Sequence, residues 1–358
     1  MASTKVHKGR GAPTNRVPLR FNLLDREGDG DWSDAEPLID GERAAPLTSV
    51  TIEKPKTIIS RNRSPDLGFD RSINAYRGCE HGCVYCFARP THAYHDLSPG
   101  LDFETRLFAK PDAATLLRAE LAKPSYRCAP MALGTNTDPY QPIERNWRIT
   151  RAVLEVLAET RHPVIITTKS ARVCEDIDLL AAMAEQNLVG VAISVTSLDP
   201  AIARTLEPRA CSPAKRLDAI ARLAARGIPV GVNIAPVIPA ITDHEIERIM
   251  AAAASAGARA ASYIPVRLPH EVAPLFRAWL DEHYPDRAAK VMHIINDLRG
   301  GSDNDPNFGT RMRGQGPWAD LLCTRFKRAA RVHGLDGPRT RLATERFRRP
   351  GGPQGELF

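Results

Sequence analysis

The chain has 358 residues, 43% hydrophobic and 25% charged, a composition that excludes wholesale disorder and leaves room for one large domain or two ordinary ones. Forty-nine Lys and Arg against 42 Asp and Glu give a net charge of +7, a modest excess compatible with a polyanionic partner. No stretch approaches the roughly 18 uninterrupted apolar residues of a membrane span, and the N-terminus lacks the apolar core of a secretory signal. The expectation is a cytoplasmic protein without membrane association.

Residues 1–60 show no sustained period and carry Pro13, Pro18, Pro37 and Pro46. Their charge switches from five basic and no acidic side chains in 1–20 to eight acidic and two basic in 21–50. Both features predict a flexible lead-in, mostly extended or disordered. From about 70, short apolar runs alternate with helical segments. SINAYRGC at 72–79 predicts the first strand, and Leu116, Leu117 and Leu121 mark a helix over about 111–123. PMALGTNTD at 130–138 precedes a helix with Ile149, Val153, Val156 and Leu157 on one face, and PVIITTKS at 163–170 precedes one with Ile177, Leu180 and Met183.

VGVAISVTS at 189–197 leads to a helix with Ser212 as N-cap and Pro213 at its first position. Its Leu217, Ile220, Ala221 and Ala224 recur at helical spacing until Gly227 ends it. PVGVNIAPVI at 229–238 is followed by Thr242 and Glu245, a capping-box pattern opening a helix to about 256. ASYIPVRL at 261–268 and a helix over 270–283 complete six units.

Six successive βα units predict an α/β fold, a partial (βα)6 TIM-type barrel with a parallel sheet, occupying about 65–285. An open, doubly wound sheet is the competing arrangement, and in both the C-terminal ends of the strands form the reactive rim. Residues 286–335, with a Gly- and Asp-rich loop over 300–317 and a helix over 318–333, predict a small helical C-terminal extension that covers the barrel mouth or bottom. Residues 336–358 predict a tail; nine basic and two acidic side chains fall within 325–349.

Seven cysteines are an odd number for a disulfide framework. Cys128, Cys174, Cys211 and Cys323 are scattered, and the sequence assigns them no role. Cys79, Cys83 and Cys86 crowd into RGCEHGCVYCF, a C-x3-C-x2-C spacing just after the first strand. Three thiols on one loop point to a soft metal centre. Iron–sulfur clusters ordinarily take four cysteine ligands, so three leave one iron open to a small molecule. A zinc site is the alternative, closed by His81, His92 or His95 as a fourth ligand.

This motif, with Tyr85 just before its last cysteine and six βα units around it, resembles the radical S-adenosylmethionine (SAM) superfamily over about residues 70–285. The runs NAYRGCEHGCVYCFAR and GTNTDPYQPIE resemble its spore photoproduct lyase-like branch, often called DNA repair photolyase-like, and are most similar to uncharacterised bacterial members of that branch. The resemblance implies a [4Fe-4S] cluster on Cys79, Cys83 and Cys86 whose fourth iron is chelated by SAM. It implies one-electron cleavage of SAM to methionine and a 5′-deoxyadenosyl radical that abstracts a substrate hydrogen. An electron donor such as flavodoxin or ferredoxin would supply the electron.

By position, Gly134, Thr135, Asn136, Thr137 and Asp138 resemble the family's loop for the SAM amino group, with Asp138 the preferred contact. Ser194, Thr196 and Ser197 after strand four, with Glu207 and Arg209 in the next loop, would meet the ribose and carboxylate. Tyr85 would lie near the adenine, and Asn233 on strand five is a further candidate. A turn or cap around 134–138 and a salt bridge at Arg209 are the structural alternatives.

Five of the seven tyrosines lie between 76 and 140, where rings could stack on exposed bases of a DNA or RNA substrate or simply pack. The branch's strand-two hydrogen-donor cysteine corresponds to about Gly134, with no matching thiol, so thymine-dimer reversal is not carried over. A second function class also stands: an iron–sulfur or zinc-bearing nucleic-acid-binding protein without turnover.

Overall fold

The structure is a computed structural model and describes residues 9–15, 38–39, 42–43, 47–337 and 341–351. Strands β1 (Leu38–Ile39) and β2 (Glu42–Arg43) pair as an antiparallel hairpin. The chain then forms β3 (Ser49–Ile52), β4 (Ile59–Arg61), β5 (Arg71–Ile73), β6 (Tyr76–Arg77) and β7 (Arg106–Ala109). The expected first strand is therefore interrupted: β5 joins the main sheet, while β6 turns away to pair with β7.

The regular alternation supplies β8 (Met131–Leu133), β9 (Val164–Thr168), β10 (Val189–Ser194), β11 (Val230–Val237) and β12 (Ala260–Pro265). These and β5 form a parallel sheet in the order β12-β11-β10-β9-β8-β5, with β4 antiparallel on the β5 edge. Strand neighbours follow chain order without reversal, which is the winding of a partial barrel and not of a doubly wound sheet.

The helices are α1 (Asp102–Thr105), α2 (Ala113–Ala122), α3 (Glu144–Trp147), α4 (Ile149–Glu159), α5 (Ile177–Ala184), α6 (Pro200–Leu206), α7 (Pro213–Ala225), α8 (Ile246–Ser255), α9 (Val272–His283), α10 (Pro285–Leu298) and α11 (Pro317–Val332). Successive neighbours α2, α4, α5, α7 and α8 cover one face of the sheet. Val164, Ile166, Val191, Ile193, Val230 and Val232 fill the core beneath them. Strand periodicity sends the alternate residues Thr167, Gly190, Ala192, Gly231 and Asn233 to the other face, half-buried, so small and polar side chains line the barrel interior there.

Two local expectations fail for tertiary reasons. The buried stripe of α7 is Arg216, Ala219, Ile220 and Leu223, while Ala221 is exposed. At the start of α8 the capping box does not form. The Thr242 hydroxyl accepts from Ile238 N–H at 2.9 Å, and Glu245 accepts from the Ser197 hydroxyl at 2.6 Å and Leu198 N–H at 2.8 Å, so both side chains serve loops after strands.

The described parts of the lead-in and tail are packed. Arg10, Gly11, Ala12 and Pro13 are buried. In the C-terminal extension, Gly309 N–H and the Arg311 guanidinium reach Asp66 at 2.7 and 2.6 Å, tying the 300–316 loop to the β4–β5 connection. Ala343 N–H donates to Asn187 O, Arg348 N–H to Thr160 O, and Phe347 packs on the rings of Tyr126 and His162. Residues 341–349 thus run along the entry ends of β8, β9 and β10, opposite the rim. Residues 1–8, 16–37, 40–41, 44–46, 338–340 and 352–358 of the expected lead-in and tail lie outside the described residues.

Candidate cluster and SAM site

The loop carrying the cysteines leaves β6 at the C-terminal end of the barrel and is gripped through its backbone. Cys79 N–H donates to Phe103 O at 2.9 Å and Val84 N–H to Leu206 O at 3.1 Å, while Arg209 N–H reaches His81 O at 3.2 Å. Gly78 and Gly82 have positive φ, and a side chain on either would collide with Leu107 or Glu104, so the tight path needs glycine at both. Cys83, Val84 and Tyr85 enter an apolar cluster with Leu206, Ile238, Val272 and Phe276, which brings α6 and α9 against the loop.

Cys79 and Cys83 are buried and Cys86 half-buried. Burial pushes the Cys79 thiol well up, with the charges of Asp138 and the two other cysteines adding to it. Burial also pushes Cys83 up to about 12 against the opposing charge of Lys169. Among the described residues no three His, Cys, Asp or Glu side chains are already drawn together as a metal's ligand set. The three thiols nonetheless share one electrostatic neighbourhood.

Chemically, this donor set suits a thiophilic, positively charged centre that offsets the cost of buried thiolates. The histidines that would complete a zinc site each have a protein neighbour on one side of the ring, and His92 Nδ1 is buried without a hydrogen-bond partner. His81 Nδ1 is 3.4 Å from Asp138, His92 Nε2 is 2.9 Å from Arg106 O, and the His95 ring lies against Phe108.

The loop after β8 comes to the same place, since the Asp138 backbone N–H and carboxylate both act on the Cys79 thiol. Gly134 has φ +86°, and a Cβ there would lie 2.0 Å from Thr167 O. No side chain fits at this close crossing without a shift of backbone. Thr135 and the Asn136 N–H both donate to Asn74 Oδ1, leaving the exposed Asn136 amide at the surface. Thr137 is buried, donating to Tyr76 O.

Asp138 is held by the protein on all sides. It accepts from the Thr168 hydroxyl at 2.6 Å, Lys169 N–H at 2.7 Å and Tyr140 N–H at 2.9 Å. The first two of these bonds tie the loop after β8 to the end of β9.

A second buried network lies after β10. Glu207 accepts from the Tyr85 hydroxyl, from Thr196 at 2.6 Å and from the Arg216 guanidinium. Arg216 also donates to Cys211 O at 2.7 Å and Ser194 O at 3.1 Å. Burial alone would raise the Glu207 carboxyl, but Arg216 and Lys169 reverse this and hold it down at about 2. Ser194, Thr196 and Ser197 are fully buried. Arg209 pairs with Glu80 at 3.0 Å, the salt-bridge alternative, and Asn233 Oδ1 accepts from Ser262 at 3.0 Å on the barrel interior.

Tyr85, Thr196 and Glu207, all candidates from the sequence, meet in this network, which also contains Arg216 and has Lys169 nearby, two residues the sequence did not single out. Lys169 follows β9, its ammonium 5.9 Å from the Tyr85 ring centre, and the charges of Cys83, Glu207 and Asp138 overcome burial to raise its pKa. Its place at the end of the run VIITTK was a usable signal. Arg216 gave none, because an arginine inside a helix ordinarily reads as solvent-facing.

The Radical SAM superfamily model matches residues 73–253. The uncharacterized protein Rv2578c of Mycobacterium tuberculosis is 35% identical over 262 residues, covering 72% of this chain and 77% of its own. The uncharacterized protein MJ0683 of Methanocaldococcus jannaschii is 27% identical over 173 residues, 48% of this chain and 62% of its own. Among solved structures, spore photoproduct lyase complexed with dinucleoside spore photoproduct superposes with a TM-score of 0.53 at 15% identity, covering 79% of each chain, which is a likeness of fold. The family match spans the cysteine loop, the four parallel strands β8–β11 and the buried Glu207 network, and the chain belongs to the radical SAM superfamily of enzymes.

Proposed function

We propose that Cys79, Cys83 and Cys86 hold a [4Fe-4S] cluster at which SAM is cleaved, and that hydrogen is then abstracted from a nucleic-acid substrate. The observation that carries the reading is the cysteine loop itself: three thiols, two of them buried, on one glycine-shaped turn at the strand-end rim. The bound cluster and SAM would together supply one-electron cleavage of a carbon–sulfur bond and a 5′-deoxyadenosyl radical.

The chain's residues bind and orient. The Lys169 ammonium suits the SAM carboxylate, and the Tyr85 ring beside it suits the adenine. Glu207 and Arg216 hold Tyr85 and Thr196 in place from behind. Gly134 admits a close approach, with Thr135 and Asn136 the polar groups of that loop for the amino group. Ser194 and Asn233 lie on β10 and β11 facing the barrel interior, Arg209 is held against the cysteine loop by Glu80 and His81 and suits the SAM carboxylate as well, and Asp138 stands beside the amino-group loop.

A nucleic acid is the favoured substrate class because the fold is shared with a lyase whose solved complex holds a dinucleoside photoproduct, and the net charge of +7 agrees with a polyanionic partner. The reductant is a flavodoxin- or ferredoxin-type donor. Cytoplasmic location agrees with reduced cysteines, and no helix among the described residues is long and apolar enough to cross a membrane.

Anaerobic reconstitution tests the proposal. About four iron and four sulfide per chain, lost together in the Cys79→Ala, Cys83→Ala, Cys86→Ala variant, and dithionite-dependent 5′-deoxyadenosine from SAM are the expected results. Stoichiometric zinc with no SAM cleavage would instead establish a binding protein without turnover.

A further inference from the structure

The segment Gly9–Asn15 lies about seventy residues before the cysteines in sequence and directly against them in space. A Cβ on Gly11 would lie 1.6 Å from Gly82 O and 3.4 Å from Val84 N, so the Gly11 backbone rests on the stretch joining Cys79 to Cys83. The two segments share one node, Glu104, whose side chain is fully buried. Its carboxylate accepts Gly11 N–H at 3.0 Å, Ala12 N–H at 2.8 Å and the Arg89 guanidinium at 2.5 Å. Arg89 in turn donates to Cys83 O at 2.9 Å.

Arg10 adds bonds to Glu104 O at 2.9 Å and Thr48 at 3.2 Å, and Thr48 donates to Glu80, the residue after Cys79. At the far end Asn15 and Asp102 exchange two hydrogen bonds. Withdrawing the segment would strip two N–H donors from a buried carboxylate and uncover the back of the cysteine loop, both unfavourable.

We infer that Gly9–Asn15 is a strap that completes the cradle of the cysteine loop, with Gly11 as its positioning residue. The inference rests on the cluster reading above. The strap fixes the loop from the side opposite Leu206 and keeps water from the Cys83 backbone, so cluster retention depends on a segment outside the barrel. Because Gly11 touches loop backbone and no cofactor, its effect is on how firmly the thiols are held.

The test uses the full chain and three variants, Gly11→Ala, Arg10→Met and Thr14→Ala, the last a strap substitution away from the Gly82 contact. Thiol alkylation by iodoacetamide before reconstitution is mapped by peptide mass spectrometry. After reconstitution, iron release to ferrozine and the electron paramagnetic resonance line shape of the reduced cluster are recorded, with far-UV melting as the folding control. The strap predicts at least fivefold faster Cys83 alkylation and iron release in Gly11→Ala, and an altered line shape, with Thr14→Ala matching wild type. Arg10→Met shifts the same way and serves if Gly11→Ala does not fold. Wild-type rates and line shape in a folded Gly11→Ala or Arg10→Met overturn the strap alone, whereas a wild-type chain that takes up no cluster overturns the underlying reading as well.

Discussion

Two buried carboxylates near the rim, Glu207 and Glu144, meet the same cost of burial and resolve it in opposite ways. Glu207 has the Arg216 guanidinium against one oxygen and Lys169 nearby, and its carboxyl is held down at about 2. Glu144 accepts from the Tyr76 hydroxyl, from Thr150 N–H at 2.9 Å and from Arg151 N–H at 3.4 Å, but forms no ion pair with a described residue. Burial therefore pushes its carboxyl up to about 7 despite those donors. Hydrogen bonds satisfy a buried carboxylate's geometry, but an adjacent cation decides its charge. The cation-held member is the one that positions Tyr85 and Thr196, where a fixed charge beside the cysteine loop is useful.

Removing the cation should break the difference. Arg216→Met leaves Glu207 charged and buried without its main partner, and such a loss costs about 3–5 kcal/mol. The measurement is the urea midpoint at pH 7. Replacing both partners, Arg216→Met with Glu207→Met, should recover part of the loss, because the uncompensated charge goes too. The comparison fails if the single variant is as stable as wild type.

Glu144 gives the next largest effect, as a pH dependence. Its folded value of about 7 lies above the ordinary 4.5, so the unfolded chain ionises first as pH rises. Its stabilising contribution is complete below about 4.5, is lost between there and 7, and stays lost above. Glu144→Gln keeps an acceptor for Tyr76 and Thr150 but cannot ionise, so its stability relative to wild type should grow by about 2.5 kcal/mol from pH 5 to pH 8. Parallel pH profiles for the two proteins would show that the carboxyl is not raised.

What the sequence disclosed about this region follows from how local each signal is. The C-x3-C-x2-C spacing and the six apolar runs are read over a few residues, and both are realised: the cysteines share a loop and the strands lie in chain order. Arg216 was not legible because its partner Glu207 lies in the turn between α6 and α7; of the Leu217, Ile220, Ala221 and Ala224 stripe, Ile220 is buried, Leu217 and Ala224 pack on the core and only Ala221 is exposed. The Gly9–Asn15 strap was hidden because its node, Glu104, is some ninety residues away and itself unremarkable in sequence. Thr242 and Glu245 carried a genuine local pattern, but loop partners at Ile238 and Ser197 took both side chains. Asp138 reads as ligand or turn former from the sequence, and its three protein donors, two of them from the end of β9, could be seen only in the fold.

The smallest effect separates the phenol's part from the carboxyl's. Tyr76 donates to Glu144 from a site that is 1% exposed. At pH 5 the carboxyl is neutral, and Tyr76→Phe should cost about 1 kcal/mol, the worth of an ordinary hydrogen bond. At pH 8 the carboxylate is charged and has no cation to turn to, so loss of the same donor should cost about 1.5–3 kcal/mol. In the Glu144→Gln background the acceptor is neutral throughout, and the cost should stay near its low-pH size. A Tyr76→Phe penalty that is flat with pH in the wild-type background would mean that the two backbone N–H groups alone support the charge, and Glu144 would then differ from Glu207 by its missing cation and nothing else.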